Sequence, residues 1–317
     1  MHKENNLQGR DFLSLQDFSA AEIRVLLALA KDLKSRQKKG GLQPLLAGKT
    51  LAMIFEKPST RTRISFEVGM WQLGGTALFL SSQELQMGRG EPIKDTAAVL
   101  SRYVDGIMIR TFDHAVVQEL ARYASVPVVN GLTDLLHPCQ ILADLLTIEE
   151  KMGRLQGVKV AYTGDGNNVA HSLLLGCSKM GLNLAVATPP SHRPLPGVVA
   201  QALANAEQSG SKVFITNDPL EAVKNADVIY TDVWTSMGQE KEQAARRKIF
   251  APYQINSNLV KTAGPEALIM HCLPAYRGEE ITAQVLEGKQ SVVLDQAENR
   301  LHAQKALLAL LMGTARG

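Results

Sequence analysis

The stretch from Glu56 to Arg63, EKPSTRTR, places three hydroxyl side chains and two guanidinium groups within five consecutive residues. An apolar run before it, TLAMIF (50–55), predicts a short buried strand. Apolar side chains at Ile64, Val68 and Trp71 follow it with the spacing of a helix. The cluster is therefore predicted at a helix N-terminus, where free N–H groups and the helix dipole favour an anion such as phosphate. An N-cap hydroxyl followed by solvated arginines explains the same residues without any ligand.

A second candidate for chemistry is HPCQ (137–140), in which a histidine precedes a proline at a predicted helix start. The His137 imidazole and the Gln140 amide are expected to face a cleft, and Cys139 the packing side. A neutral imidazole N–H in that position can polarise a carbonyl group. A locally hydrogen-bonded residue at a helix N-terminus is the alternative interpretation of His137.

The motif HCLPA (271–275) ends a predicted buried strand at a thiol, followed by an X-Pro bond. Cys272 is open to three interpretations: a nucleophile, a hydrogen-bonding positioner or a small core residue. The neighbouring candidate base is His271, and strand alternation turns its side chain to the opposite face.

The segment GDGNN (164–168) follows a predicted strand, as a dinucleotide fingerprint does. The third glycine position is occupied by Val169, and prolines replace the acidic residue expected after the next strand. A nicotinamide site is therefore disfavoured. The segment is either a tight turn or a place where Asn167 or Asn168 directs its amide at a polar substrate.

Composition narrows the class of protein further. The 317 residues fit two domains, and 45% hydrophobic with 21% charged residues is typical of a folded protein. The net charge of +3 is dispersed, so we expect no nucleic-acid partner. Three cysteines without a CxxC pair and seven histidines without zinc spacing predict neither disulfides nor a metal site. No apolar run is long enough for a membrane span and no signal peptide is recognisable, which predicts a cytoplasmic protein.

Strand and helix patterns alternate twice along the chain, which predicts an α/β protein of two domains, each a mostly parallel sheet flanked by helices. The predicted strands are 50–55, 76–80, 106–110 and 126–130 in the first half, and 158–164, 183–189, 212–216, 227–233 and 267–272 in the second. Polar loops follow these strands, at the edge where open parallel sheets bind ligands. The domain boundary is expected in a helix that starts near Asp134.

Taken together, the motifs resemble those of ornithine carbamoyltransferases, within the aspartate/ornithine carbamoyltransferase family. The resemblance runs from about residue 10 to the C-terminus, and its motifs are STRTR (59–63), MIRTF (108–112), HPCQ, DVWTSMG (232–238), HCLPA and AENR (297–300). It implies a carbamoyl-phosphate-binding domain (1–148), an ornithine-binding domain (149–296) and a C-terminal helix (297–317) that returns to the first domain. It also implies a homotrimer or an assembly of trimers, with active sites at subunit interfaces, and no cofactor.

The resemblance assigns roles residue by residue. Carbamoyl phosphate is expected to contact Ser59, Thr60, Arg61, Thr62, Gln86, Arg110, His137, Gln140, Cys272, Leu273 and Arg300, with Gln86 acting in its own or a neighbouring subunit. Ornithine is expected to contact Asn168, Asp232, Ser236 and Met237. Arg110, His137, Asp232 and Cys272 are the implied catalytic residues.

The implied reaction transfers a carbamoyl group from carbamoyl phosphate to the side-chain amine of L-ornithine. In such a reaction Cys272 is better interpreted as a positioner than as a nucleophile. STRTR and HPCQ suit any carbamoyltransferase, so putrescine, an N-acylated ornithine or aspartate remains as an alternative acceptor. The sequence does not distinguish arginine biosynthesis from the reverse, catabolic direction.

Overall fold

The computed structural model describes residues 7–41, 43–86 and 90–313, apart from the side chain of Glu240. The chain divides into two compact units. The first comprises residues 1–146 and 298–317, and the second comprises residues 147–297. The chain passes between the units inside two continuous helices, α5 (Pro138–Met152) and α12 (Val293–Met312).

The first unit contains a four-stranded parallel sheet in the order β2-β1-β3-β4. Its strands are β1 (Thr50–Phe55), β2 (Thr76–Ser81), β3 (Gly106–Arg110) and β4 (Val128–Leu132), and its further helices are α1 (Ala20–Lys38), α2 (Thr60–Gln72), α3 (Ile93–Leu100) and α4 (His114–Tyr123). Ile54, Ile107 and Ile109 are buried between sheet and helices, because β1 and β3 are covered on both faces. Arg110 is the last residue of β3, and the EKPSTRTR segment follows β1. Both therefore lie at the C-terminal ends of neighbouring strands.

The second unit contains a five-stranded parallel sheet in the order β7-β6-β5-β8-β9. Its strands are β5 (Lys159–Thr163), β6 (Asn183–Ala187), β7 (Val213–Thr216), β8 (Val228–Thr231) and β9 (Leu268–His271), and its helices are α6 (Asn168–Met180), α7 (Pro196–Ser209), α8 (Pro219–Val223), α9 (Gln243–Phe250), α10 (Ser257–Val260) and α11 (Ala283–Leu286). Thr231 pairs with His271 in register. Asp232 and Cys272, one residue further along each strand, therefore leave the sheet side by side.

The predicted α/β class and parallel strand pattern agree with these two sheets, but two local expectations are corrected. The helix expected from near Asp134 begins at Pro138, because the Thr133 hydroxyl accepts the Leu136 N–H and closes a turn before it. Ile64 and Trp71 lie in α2 as their spacing indicates, yet they are 51% and 71% exposed. The buried face of α2 contains Phe66 and Met70 instead.

Within the described residues, no helix combines the length and the apolar character needed to cross a membrane.

Candidate active site

The hydroxyl and guanidinium cluster lies where β1 turns into α2, as its sequence predicts. Ser59 is the N-cap of α2, and its Oγ accepts the Thr62 N–H at 3.2 Å. Thr60 is exposed, Arg61 is half-buried and Thr62 is buried, all in the first turn of the helix. The first turn therefore presents hydroxyls, backbone N–H groups and the positive end of the helix dipole, a combination that binds phosphate.

Arginines surround a buried histidine in the same unit. His137 precedes α5 and is buried, and its pKa lies well below the usual value. Burial is the main cause, and the positive charges of Arg300, Arg110 and Arg61 add to it. His137 is therefore a neutral imidazole at physiological pH. Its side chain is almost completely buried, with 5% of its surface exposed.

Arg300, on α12, connects two of these motifs. Its guanidinium donates to Gln140 Oε1 at 2.8 Å and to Thr62 Oγ1 at 3.3 Å. Gln140 in turn donates to Asp144 Oδ1 at 2.8 Å, so its amide orientation is fixed by both neighbours. Three buried or half-buried arginines around one neutral imidazole attract a compact dianion, because burying like charges together is unfavourable until an anion neutralises them.

Gln86 is the one predicted carbamoyl-phosphate residue of this unit that the structure does not bring to the cluster. It is exposed in the segment after β2, where its carbonyl accepts the Glu91 N–H at 3.1 Å. The next residues of its predicted loop, 87–89, lie outside the described residues.

In the second unit, a carboxylate lies at the centre of the candidate ornithine site. Asp232 is buried at the end of β8, where its Oδ2 accepts a hydrogen bond from the Asn167 amide at 2.8 Å. Its Oδ1 accepts a hydrogen bond from the Cys272 thiol at 2.9 Å. The two predicted residues Asp232 and Cys272 are thus in direct contact, which favours the positioning interpretation of the cysteine.

Asn167 was one of two alternatives in the sequence, and the structure gives it the contact with Asp232. Its Oδ1 caps α6 by accepting the N–H groups of Val169 and Ala170, which leaves its Nδ2 to donate to the carboxylate. Asn168 is the first residue of α6 and is half-buried. The sequence signal for this role was present, because asparagine before a helix is a strong N-cap.

The remaining residues of the DVWTSMG motif lie in the loop after β8. Ser236 is half-buried, and its N–H donates to Gln239 Oε1 at 3.2 Å. Met237 is exposed. An exposed loop next to a buried carboxylate is suited to close over a bound substrate.

A buried ion pair that no sequence pattern predicted lies at the start of this loop. The Arg246 guanidinium, on α9, is paired with the Asp165 carboxylate and donates to the Trp234 carbonyl at 2.5 Å. Burial raises the pKa of Asp165 to about 6, although the charge of Arg246 opposes the shift. The pair fastens the GDGNN turn to the start of the DVWTSMG loop.

A close backbone approach, not a nucleotide, accounts for the glycine at 166. A Cβ built on Gly166 would lie 2.4 Å from the backbone nitrogen of Pro194 and 2.5 Å from the carbonyl carbon of Arg193. Only glycine fits such an approach. The tight-turn interpretation of this segment therefore has a packing reason.

The residues Asp232, His271 and Cys272 offer ligand atoms that all lie within 4.8 Å of one another. The imidazole, however, has both nitrogens engaged: Nδ1 accepts the Leu273 N–H at 2.8 Å and Nε2 lies 3.1 Å from Glu280 Oε1. A metal ion needs a free lone pair on the ring. We therefore assign no metal to this group.

Comparison with known proteins matches both halves of the chain to one family. The model of the aspartate/ornithine carbamoyltransferase carbamoyl-P binding domain matches residues 10–150. The model of the Asp/Orn binding domain of the same family matches residues 156–311. The first match contains Arg61, Arg110 and His137, and the second contains Asp232, Cys272 and Arg300.

Individual relatives match over nearly the whole chain. The ornithine carbamoyltransferase of Thermococcus kodakarensis is 60% identical over 308 residues, which cover 97% of this chain and 98% of the relative. That of Bacillus subtilis is 59% identical, with 98% and 96% covered. The solved ornithine carbamoyltransferase of Pyrococcus furiosus superposes with a TM-score of 0.96 at 59% identity, covering 98% of this chain and 99% of that one. The chain belongs to the aspartate/ornithine carbamoyltransferase family.

Proposed function

We propose that the chain transfers the carbamoyl group of carbamoyl phosphate to the side-chain amine of L-ornithine, giving L-citrulline and phosphate. The observation that carries this proposal is the neutral, buried His137 near three arginines, where His137 and two of them, Arg61 and Arg110, lie in the part of the chain matched by a carbamoyl-phosphate-binding domain. The relatives at about 60% identity over the full chain bear the name of this activity.

Carbamoyl phosphate binds first, through its phosphate. Ser59, Thr60, Arg61 and Thr62 at the N-terminus of α2 receive the dianion, and Arg300 adds a charge through its contact with Thr62. Charge-assisted hydrogen bonds of this kind hold the leaving group and stabilise it as it departs.

The carbamoyl group is polarised by hydrogen-bond donors. Arg110, His137 and Thr62 donate to its carbonyl oxygen, where negative charge develops in the tetrahedral intermediate. A neutral imidazole suits this role, because it donates one N–H without adding a fourth positive charge. Gln140, Cys272 and Leu273 complete the set of carbamoyl contacts.

The α-amino acid end of ornithine is recognised by the second unit. Asp232 receives the α-ammonium group, and Asn168, Ser236 and the Met237 backbone receive the α-carboxylate. Asp232 suits an ammonium group because its carboxylate is buried and already oriented by Asn167 and Cys272. The exposed loop with Ser236 and Met237 closes after carbamoyl phosphate has bound, which makes the binding order obligatory.

The chemical step is an acyl-type transfer without a change of oxidation state, so it needs no redox cofactor. The neutral δ-amine attacks the carbamoyl carbon and forms a C–N bond, the C–O bond to phosphate breaks, and the amine proton passes to a phosphate oxygen. An alkylamine has a pKa of about 10 in water, so desolvation and nearby cations must favour its free base. Cys272 positions Asp232 through its thiol and forms no covalent intermediate.

The experiment is an assay of phosphate release from carbamoyl phosphate with a panel of acceptors: L-ornithine, putrescine, N-acetylornithine and aspartate. L-Ornithine is expected to have the highest kcat/KM, by about a hundredfold over putrescine, which leaves Asp232 unpaired. A higher kcat/KM for another acceptor would establish the alternative carbamoyltransferase. No phosphate release with any of the four would overturn the proposal.

The proposed domain roles are carbamoyl-phosphate binding by residues 1–148, ornithine binding by residues 149–296 and return to the first domain by 297–317. We also propose that the reaction runs toward citrulline, in arginine biosynthesis. A Pyrococcus furiosus relative, 60% identical, is named as anabolic. Three free cysteines, two of them buried, suit the reducing cytoplasm.

A homotrimer accounts for a surface that a monomer would leave exposed to water. Ile64, Trp71, Phe79, Val99 and Tyr103, all in the first unit, are large apolar side chains that are exposed in the single chain. Burial of this surface by a second copy would also allow Gln86 to serve a neighbouring site. Trp71→Glu is expected to reduce the mass measured by light scattering from a trimer to a monomer. An unchanged trimer mass in this variant would place the interface elsewhere.

A further inference from the structure

His271 and Glu280 form a fully buried polar pair behind the HCLPA strand end. Both side chains are fully buried, and His271 Nε2 lies 3.1 Å from Glu280 Oε1. On its other side the ring meets the main chain two residues on, where the Leu273 N–H donates to His271 Nδ1 at 2.8 Å. The imidazole thus bridges a carboxylate and the peptide group that follows Cys272.

The hydrogen bonds define the tautomer of this ring. A backbone N–H only donates, so Nδ1 must be the unprotonated, accepting nitrogen. The proton is therefore on Nε2, which donates to Glu280. Glu280 Oε1 also accepts the Tyr276 N–H at 2.6 Å, so the carboxylate holds the ring and the following loop together.

The Leu273 peptide needs such support because of its backbone conformation. Its φ of +58° lies in the left-handed region, which side chains with a Cβ disfavour. A strained non-glycine residue persists when its surroundings fix it, and such residues cluster at active sites. The hydrogen bond to His271 Nδ1 is the contact that fixes the Leu273 N–H.

The main chain of His271 is also held by a side-chain hydrogen bond. Its own N–H donates to Gln296 Oε1 at 2.9 Å, and Gln296 Nε2 donates to the Tyr230 hydroxyl at 3.0 Å. The main chain at 271 is thereby linked to β8 through Gln296 as well as through the pairing of the two strands. A ring fixed at its backbone and at both nitrogens has little freedom to move.

We propose that His271 and Glu280 are positioning residues of the transfer reaction, which hold Leu273 in its left-handed conformation and thereby set the place of Leu273 and Cys272 against the carbamoyl group. The inference rests on the proposed function, which assigns carbamoyl contacts to these two residues. His271 acts through the Leu273 main chain and does not touch substrate. The sequence alone did not indicate a role for His271 in the site, because strand alternation turns its side chain away from that of Cys272.

Two substitutions at His271 separate its two nitrogens. In His271→Asn the side-chain oxygen occupies the place of Nδ1 and still accepts the Leu273 N–H. In His271→Gln the amide reaches the place of Nε2 and still meets Glu280, but the acceptor for Leu273 is lost. We expect kcat to fall by about fivefold in the first variant and by about a hundredfold in the second, because small misplacements of reacting groups have large effects on rate.

The readouts distinguish positioning from general support of the fold. The KM for ornithine and the dissociation constant for carbamoyl phosphate are expected to change by less than about threefold in both variants. The control is His171→Asn, which removes another buried ring nitrogen, Nε2, that accepts a backbone N–H, that of Leu195, a residue with no proposed role in the site. This control is expected to lower the melting temperature while leaving kcat unchanged.

A second pair of variants tests Glu280 and does not depend on the folding of His271→Gln. Glu280→Gln keeps an oxygen for the histidine and the Tyr276 N–H, so we expect kcat within about fivefold of the parent. Glu280→Met removes that oxygen, and kcat is expected to fall by about a hundredfold.

A crystal structure of His271→Gln separates the failure of this inference from that of the proposed function. If Leu273 keeps its left-handed φ and kcat is unchanged, or if both variants at His271 lose kcat equally, the positioning role is wrong. If Leu273 moves but kcat is unchanged, the carbamoyl contact assigned to Leu273 is wrong. A moved Leu273 together with the loss of kcat supports both.

Discussion

Asn167 and Cys272 donate to different oxygens of the Asp232 carboxylate, at 2.8 and 2.9 Å. The three residues follow β5, β8 and β9, which are adjacent strands of one sheet. Two donors from opposite sides fix the plane of the carboxylate, and the buried charge still lacks a cationic partner among these contacts. A substrate ammonium group would supply that partner.

The first prediction concerns substrate choice. Asp232→Ala should lose most of the preference for L-ornithine over putrescine, because only ornithine has an α-ammonium group for this carboxylate. A preference of about a hundredfold is expected to shrink to about tenfold or less, as measured by the ratio of kcat/KM values. Asp218→Ala is the control: this exposed residue caps α8, so its loss should lower stability and leave the ratio unchanged. A ratio that stays the same in Asp232→Ala would remove Asp232 from the ammonium site.

Arg61 and Arg63, two residues apart in α2, provide a matched test of the phosphate site. Arg61→Gln should weaken carbamoyl-phosphate binding and lower kcat together, with a loss of about 2 to 4 kcal/mol in kcat/KM, since one charge-assisted contact serves both substrate and leaving group. Arg63 is exposed and paired with Glu67, so Arg63→Gln should change little. Steady-state kinetics of both variants test this prediction. An equal loss of kcat/KM in the two variants would argue against a specific phosphate contact at Arg61.

The thiol of Cys272 is predicted to act without covalent chemistry. Cys272→Ser retains a donor toward Asp232, so it should keep measurable activity, and intact-mass spectrometry during turnover should find no carbamoylated enzyme. Cys177→Ser, at a buried position in α6, serves as the control for loss of a thiol. Detection of a carbamoyl group on Cys272 would show that it is a nucleophile.

The buried state of His137 predicts a particular dependence of stability on pH. Its pKa is lowered in the folded chain, so below about pH 6.5 the unfolded chain takes up a proton that the folded chain does not. The free energy of unfolding should therefore fall as pH decreases from about 6.5, by up to about 1.4 kcal/mol per pH unit for this group. In His137→Gln this contribution disappears. Urea unfolding at a series of pH values and fixed protein concentration measures the slope, and an unchanged slope in the variant would contradict the assignment.

Replacement of two different glycines by alanine is expected to have opposite effects on stability. Gly166→Ala should destabilise the chain by about 1 to 3 kcal/mol, because its Cβ would meet the backbone of residues 192–194. Gly197 lies in the first turn of α7, and a Cβ there would meet nothing within 4 Å. Gly197→Ala should therefore stabilise by up to about 1 kcal/mol, through helix propensity. Thermal unfolding of the two variants tests both signs at once.

The strands of both sheets could be predicted from the sequence, because each is a short apolar run such as TLAMIF followed by polar residues. The buried face of α2 could not. Ile64 and Trp71 have the apolar spacing that normally indicates a core-facing stripe, but the structure exposes them and buries Phe66 and Met70. The apolar spacing alone therefore does not identify which face of the helix is buried in the chain.

Contacts between residues that are far apart in the sequence also could not be predicted from local patterns. Arg246 pairs with Asp165, 81 positions away, and nothing in either local pattern identifies a partner at that separation. Arg300 was placed among the candidate residues by family resemblance alone, since 238 positions separate it from Thr62. The contact between Asp232 and Cys272, in contrast, follows from the register of two neighbouring parallel strands.

The return of α12 to the first unit has a consequence for biosynthesis. Arg300, which contacts Gln140 and Thr62, follows the whole of the second unit in the sequence. The ribosome has thus made all of the second unit before the arginine cluster of the first can be completed. A nascent chain stopped before α12 would lack this cation, so the first unit would be made first along the chain and yet completed last.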